Sequence, residues 1–400
     1  MNKVNRALIK LLSISMDCQM SSAVELEAEE WQQLYEEAVA HQVQSIIFSE
    51  ANKYGATKSP ELFNKWKNST IIHVLKYGER FTIIGELLNA LENAGIRVMI
   101  LKGLHYRYLY NDPVMRTMGD VDLLVMRQSL NAAVDIIKSF DYIKVKHDDP
   151  KHISLVHRQY VPIELHFSLF TEAKRKIAVS FNKEIWELSY HFEQDGLRFL
   201  VPSRENQLLY CCIHMTNHFG KGGFGLRQLS DFYLLARNHS QAIDWDILLS
   251  KADLYGIGRF MEIMLIICHK LFNLPVSETI HDKYSQDTDK IEQMIGMILD
   301  AGVFGEKDKI VSANRTMASY ISRSKPGVGA RLRYIFPLRE NLNDEYSYAQ
   351  KYKYLLPVAW IHRIAVNVKR KDMSLAEKLP DSKAIDKYVK LFRWIDIKRN

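Results

Sequence analysis

Polar and apolar positions follow a helical period over most of the chain and a strand period only in its middle. In residues 24–52, Leu26, Trp31, Leu34, Ala38, Val43 and Ile47 recur at near-helical spacing among Glu and Gln. Ser59-Pro60-Glu61 supplies an N-cap serine and a first-turn proline for a second helix, whose pattern runs to Ala94 before Gly95 stops it. The texture then changes. Ile96 to Leu101 is short, apolar and β-branched, which predicts a buried strand. A short helical segment follows from Leu104 to Tyr110, then a turn at Asn111-Asp112-Pro113. Val121 to Val125 predicts a second strand, Ser129 to Ser139 a helix, and residues 153–161 and 162–169 two more strands divided near Pro162. From Pro202 the pattern is helical again, with helices near 203–218, 226–237, 244–254, 257–272 and 287–302. The expected architecture is α+β: an N-terminal helical region (1–80), a small mixed-sheet core (81–200) and a C-terminal helical region (201–400).

Composition narrows the class without naming a function. The chain has 400 residues, 47% hydrophobic and 25% charged, values that argue against disorder or a disulfide scaffold. Net charge is +7, a weak hint of an anionic partner. Most of the excess lies at the end, where residues 361–400 hold 11 basic and 5 acidic side chains. Cys18, Cys211, Cys212 and Cys268 have no CxxC spacing and read as reduced thiols in a cytoplasmic protein. Residues 3–12 superficially resemble a signal peptide, but Lys10 interrupts the run and Asp17 follows. No stretch approaches the roughly 20 apolar residues of a membrane span, so the segment reads as an amphipathic helix and no membrane partner is expected.

The chemistry concentrates in Gly119-Asp120-Val121-Asp122-Leu123-Leu124-Val125. Alternation along a strand puts Asp120 and Asp122 on one face and Val121 and Leu123 on the other. Two such carboxylates repel unless a cation lies between them, and hard oxygen donors suit Mg²⁺ with substrate phosphates in its remaining positions. A solvated polar strand end is the plainer account of the pair taken alone. Context favours the metal. Upstream, a strand runs through Lys102-Gly103 into a helix, an arrangement in which backbone N–H groups meet phosphate. Downstream, Glu164 stands on an otherwise apolar strand with His166 on the same face, and a carboxylate there needs a metal or an arginine beside it.

Leu101-Lys102-Gly103, Arg116, Gly119 to Val125 and Ile163-Glu164-Leu165-His166 together resemble a bacterial, largely uncharacterised nucleotidyltransferase group within the DNA polymerase beta-like superfamily. Leu208 to His218, Leu226 to Asp231 and Ile243-Asp244-Trp245 resemble that group's second domain, and the likeness spans roughly residues 80–270, with a weaker echo from Tyr346 to Arg363. The resemblance implies two-metal transfer of a nucleoside monophosphate from an NTP to a hydroxyl, releasing pyrophosphate. It implies that Asp120 and Asp122 hold both Mg²⁺ ions, with Mn²⁺ as a substitute, and that Glu164 completes one of them. Lys102 and the Gly103 backbone then grip the triphosphate, and Arg116 is a phosphate or acceptor-site cation. Many relatives carry Gly-Ser at the helix start, whereas Lys102-Gly103-Leu104 offers no hydroxyl there. The acceptor is a small molecule or a protein side chain. A template-independent activity on RNA ends and a non-catalytic interaction module are the rival readings, and nucleic acid is the less favoured partner.

Four other patterns have plainer explanations. Gly220-Lys221-Gly222-Gly223-Phe224-Gly225 matches GxGxxG, but a helix rather than a strand precedes it, which reads as a flexible loop. His214 and His218 share a helix face without the Glu of HExxH or a third ligand. Arg227 and Asp231 stand at i and i+4, either as a surface pair or, by the resemblance, facing the cleft together with His166. Residues 331–334, 369–371 and the lysines and arginines after 386 read as solvated basic segments before they read as a nucleic-acid surface.

Overall fold

The computed structural model describes residues 1–18, 24–145, 149, 151–169, 175–220, 222–303, 305, 307, 309–322, 336–339, 342, 346–369 and 382–396. Its helices are α1 (Lys3–Ser15), α2 (Ala28–Ala40), α3 (Phe48–Tyr54), α4 (Pro60–Asn93), α5 (Gly103–Tyr106), α6 (Leu130–Lys138), α7 (Arg175–Glu187), α8 (Arg204–Phe219) and α9 (Leu226–Asn238). They continue as α10 (Trp245–Leu254), α11 (Gly258–Phe272), α12 (Glu278–Tyr284), α13 (Thr288–Ala301), α14 (Lys309–Ser322), α15 (Ser347–Lys351), α16 (Leu356–Lys369) and α17 (Ser382–Ile395). The strands are β1 (Val98–Leu101), β2 (Val121–Val125), β3 (Ile143–Lys144), β4 (His152–Val156), β5 (Ile163–His166), β6 (Tyr190–Gln194) and β7 (Leu197–Val201). The expected α+β class holds: one seven-stranded mixed sheet with helical regions on either side of it in sequence.

The chain divides into two compact units. One comprises Met1–His214 and Leu226–Gln286, and the other joins Met215–Gly225 to the chain from Asp287. The first unit holds the whole sheet, in the order β3-β4-β5-β2-β1-β7-β6. β2 is central, antiparallel to β1 and parallel to β5, with Leu101 and Glu164 flanking Asp122 in register. Alternation then sorts the side chains. Val121, Leu123, Val125, Ile163 and Leu165 enter a core with Ile84, Leu87, Leu88 and Leu91 of α4 and Ala133, Val134 and Ile137 of α6. Asp122, Glu164 and His166 take the other face. α1 is the amphipathic helix expected near the N-terminus. Leu8, Leu11 and Leu12 are fully buried, and the Ser13 hydroxyl donates to the carbonyl of Leu271.

Residues 24–52 form two helices rather than one run, because the chain turns between Ala40 and Phe48. The expected strand 153–161 ends at Val156, and α7 and the β6–β7 hairpin lie in a region given no elements from the sequence. The hairpin signal was present in Asp195-Gly196: both residues have positive φ, 53° and 75°, as a two-residue turn between twisted strands requires. β7 pairs with β1 in parallel and extends the sheet away from β2. Gly196 has open space where a Cβ would sit, so Gly196→Ala costs backbone strain alone. We expect a loss of about 1–2 kcal/mol, read as a lower midpoint in urea at unchanged slope.

In the second unit the glycines after α8 are packing residues. A Cβ on Gly222 would come 2.5 Å from Ser312 Oγ, and one on Gly223 would come 2.6 Å from the Ala301 Cβ. Both are buried with positive φ, so at these two glycines of the GxGxxG match chain segments cross closely.

Candidate active site

The site grows from a buried charge in an apolar strand. Asp122 is 2% exposed, and an unpaired carboxylate there would be costly. Lys102 Nζ lies 2.7 Å and His166 Nε2 3.0 Å from the same oxygen, Asp122 Oδ1. Burial works against the Asp122 charge, but Lys102 and then His166 outweigh it and hold the carboxyl far below its usual range. Burial also presses the Lys102 ammonium to lose its proton, and Asp122 more than reverses that. Lys102 reaches this position from a left-handed backbone, φ 51° and ψ −124°, a conformation a side chain other than glycine adopts only at a cost.

Glu164 faces Asp122 across the β2–β5 ladder and is 31% exposed. Its carboxylate stands 3.4 Å from His166 Nε2 and 3.8 Å from His152 Nε2. Burial raises its pKa, and the His166 hydrogen bond more than offsets this. His166 is itself held above its ordinary value: burial lowers it, while bonds to Asp122 and Glu164 keep the proton. All polar contacts of the His166 ring run through Nε2, since Nδ1 is buried with no hydrogen-bond partner. Asp120 is the odd member. Burial, then the charge of Asp122, push its carboxyl up to about 6 despite Lys102 nearby. Burial is the larger cause and the neighbouring carboxylates add to it. Carboxylate oxygens are the donors Mg²⁺ takes, so Asp120, Asp122 and Glu164 match it in donor type.

Arg116, Arg227 and Asp231 gather in a second cluster. Arg116 donates from Nε to Asp231 Oδ1 at 3.0 Å and from Nη2 to Oδ2 at 2.6 Å, a two-pronged pair. The Tyr110 hydroxyl donates to the same carboxylate at 2.8 Å. The guanidinium also packs on the chain beside Lys102, where a Cβ on Gly103 would meet Arg116 Nη1 at 3.0 Å. Gly103 is therefore a place where Arg116 comes close, at the start of the single-turn α5. Arg227 and Asp231 are both buried rather than a surface pair, and Asp231 takes Arg116 instead of Arg227. Arg227 Nη1 donates to the Gln42 side chain and to the Thr117 carbonyl, while its Nε is buried without a partner. Burial, then repulsion from Arg116, lower the Arg227 pKa to about 10.

Two contributors carried no signal of their own in the sequence. His152 reaches Glu164 because β4 runs antiparallel to β5 with His152 opposite His166. Tyr210, buried on α8, lies 6.0 Å beneath Lys102 Nζ. Among the described residues, the one group of three His, Cys, Asp or Glu side chains placed to share a metal is His152, Glu164 and His166. His214 and His218 are not part of it. Residues 331–334, 370–371 and 398–399, where basic segments were expected, lie outside the described residues.

A family model described as an uncharacterised nucleotidyltransferase matches residues 27–273. A similar solved structure is that of an antigenic nucleotidyltransferase-like protein from Paracoccidioides brasiliensis. It is 16% identical, and the match covers 49% of this chain and 93% of that one with a TM-score of 0.31. No curated protein matches the chain.

Proposed function

The chain belongs to the uncharacterised nucleotidyltransferase family, and from that premise we propose that it transfers a nucleoside monophosphate from an NTP to a hydroxyl, releasing pyrophosphate. The observation that carries the reading is the facing pair Asp122 and Glu164 beside an Asp120 whose carboxyl is pushed up to about 6. These three side chains would hold Mg²⁺ in the manner of the DNA polymerase beta-like superfamily. The metal, when bound, supplies charge neutralisation for the triphosphate and a lowered pKa for the acceptor hydroxyl.

The remaining roles fall to the protein. In the transfer, the acceptor oxygen bonds to the α-phosphorus, the bond from that phosphorus to the bridging oxygen breaks, and pyrophosphate leaves. Glu164, the partly exposed carboxylate of the three, takes the hydroxyl proton. Lys102 and Arg227 meet the triphosphate. Arg227 is assigned there in preference to Arg116, because the Arg116 fork is already filled by Asp231 and Arg227 contacts only neutral oxygens. Arg227→Met and Lys102→Ala are each expected to raise KM for the nucleotide about tenfold or more, the value of one charge-assisted hydrogen bond. Steady-state kinetics at varied NTP check this.

The acceptor is a small molecule or a protein side chain. Four buried, unpaired cysteines support a reducing, cytoplasmic setting, and no described helix is long and apolar enough to cross a membrane. NTP labelled at the α-phosphate, incubated with the protein, Mg²⁺ and a cell extract, should label an acceptor and release unlabelled pyrophosphate. Transfer of label from the γ-phosphate instead would sink the reading. Extension of an RNA primer would favour the RNA-end activity.

A further inference from the structure

Two imidazoles stand where an all-oxygen Mg²⁺ site has no use for them. His152 and His166 both present Nε2 to Glu164, at 3.8 Å from Oε1 and 3.4 Å from Oε2. His166 Nε2 is also 3.0 Å from Asp122 Oδ1. One donor atom from each of His152, Glu164 and His166 lies within 4.8 Å of the others. Ligands bound to one metal at about 2.1 Å stand about 3.0 Å apart in an octahedron and about 3.4 Å apart in a tetrahedron. The His166–Glu164 spacing falls on the tetrahedral value and the His152–Glu164 spacing is a few tenths of an ångström longer, so a bound metal would draw the three donors, now within 4.8 Å of one another, closer together.

His152 Nδ1 lies 3.3 Å from Asp149 Oδ1 without a hydrogen bond to it, and Nε2 faces Glu164. The strands enforce the arrangement, since the antiparallel β4–β5 ladder pairs His152 directly with His166.

We infer that His152, Glu164 and His166 form a position for a nitrogen-binding transition metal of the zinc class, with Asp122 Oδ1 at its edge. Imidazole favours such a metal over Mg²⁺, which keeps to oxygen. The site then holds two unlike metals, Mg²⁺ on Asp120 and Asp122 and the transition metal on the histidines, and Glu164 serves the transition metal in place of the Mg²⁺ and proton-accepting roles proposed for it. The inference rests on reading the acidic cluster as a metal site, but not on the transfer reaction itself.

The full chain, stripped with chelator and loaded with less than one equivalent of Zn²⁺, should show two imidazole ligands by X-ray absorption at the zinc edge. His152→Gln and His166→Gln should each weaken Zn²⁺ binding at least tenfold in competition with a chromophoric chelator, while Asp120→Asn leaves it within about twofold. A zinc shell of oxygens alone, no binding, or unchanged affinity in both histidine variants would overturn the inference. Should a variant fail to fold, the wild-type absorption spectrum decides alone. Zinc on two imidazoles in a protein that transfers no nucleotide leaves this inference standing and removes the proposed function. Nucleotide transfer with an all-oxygen zinc shell does the reverse.

Discussion

Asp122→Asn is expected to fold and to lose at least about a thousandfold in the rate of nucleotide transfer. Asparagine keeps the shape and still accepts from Lys102 and His166 through its amide oxygen, so strand β2 and its two ladders stay in place. What disappears is the full negative charge, which stands in the most buried position of the acidic group. Metal-assisted stabilisation of a phosphoryl transition state amounts to several kcal/mol, and about 4 kcal/mol corresponds to a factor of about a thousand. Single-turnover labelling, with thermal melting as the folding control, measures it. A variant that transfers within about tenfold of wild type would remove Asp122 from the metal site. Asp120→Asn should fall by a similar factor for the same reason.

Asp231→Ala is expected to cost about 3–5 kcal/mol of stability, the usual result of stranding one member of a buried ion pair. The Arg116 guanidinium would lose both carboxylate contacts, with its side chain 5% exposed. The Tyr110 hydroxyl would lose its acceptor as well. Arg227, close enough to Arg116 for repulsion to lower its pKa, would face a bare cation. The melting temperature should drop on the order of 10 °C. Replacing both partners with apolar residues, Arg116→Met with Asp231→Leu, should recover most of the loss, because the penalty lies in the stranded charge and not in the missing attraction. A change below about 1 kcal/mol in Asp231→Ala would show that the carboxylate is not the support of Arg116. The pair ties the loop before β2 to α9, far apart in sequence, so a looser pair should also lower transfer.

Much of this was open to reading residue by residue. Ser59 accepts from the Leu62 amide as the N-cap of α4, with Pro60 in the first turn, as the sequence implied. The helices after Pro202 begin and end within about two residues of their patterns, because each has a strong apolar period and a clear stop. The β6–β7 hairpin is marked in the sequence only by its Asp195-Gly196 turn, since β6 is mostly exposed and lacks an apolar run. Arg116 illustrates a different limit. The resemblance implies a phosphate or acceptor-site cation at Arg116, and what no local pattern shows is that Asp231 of α9 pairs with both prongs of its guanidinium.

The sequence by itself determined strand β2: alternation in Val121-Asp122-Leu123 dictates that the carboxylate takes one face and the apolar residues the core. It also determined the family, through motifs short enough to stand in one element each. Only the tertiary structure decided which charges meet. The register of β5 on β2 sets Glu164 against Asp122, the register of β4 on β5 brings His152 to the same edge, and α9 claims Arg116 while leaving Arg227 without a carboxylate. Side-chain direction is a local property of backbone period, whereas a charge pair depends on contacts between segments up to about a hundred residues apart, which no local pattern encodes.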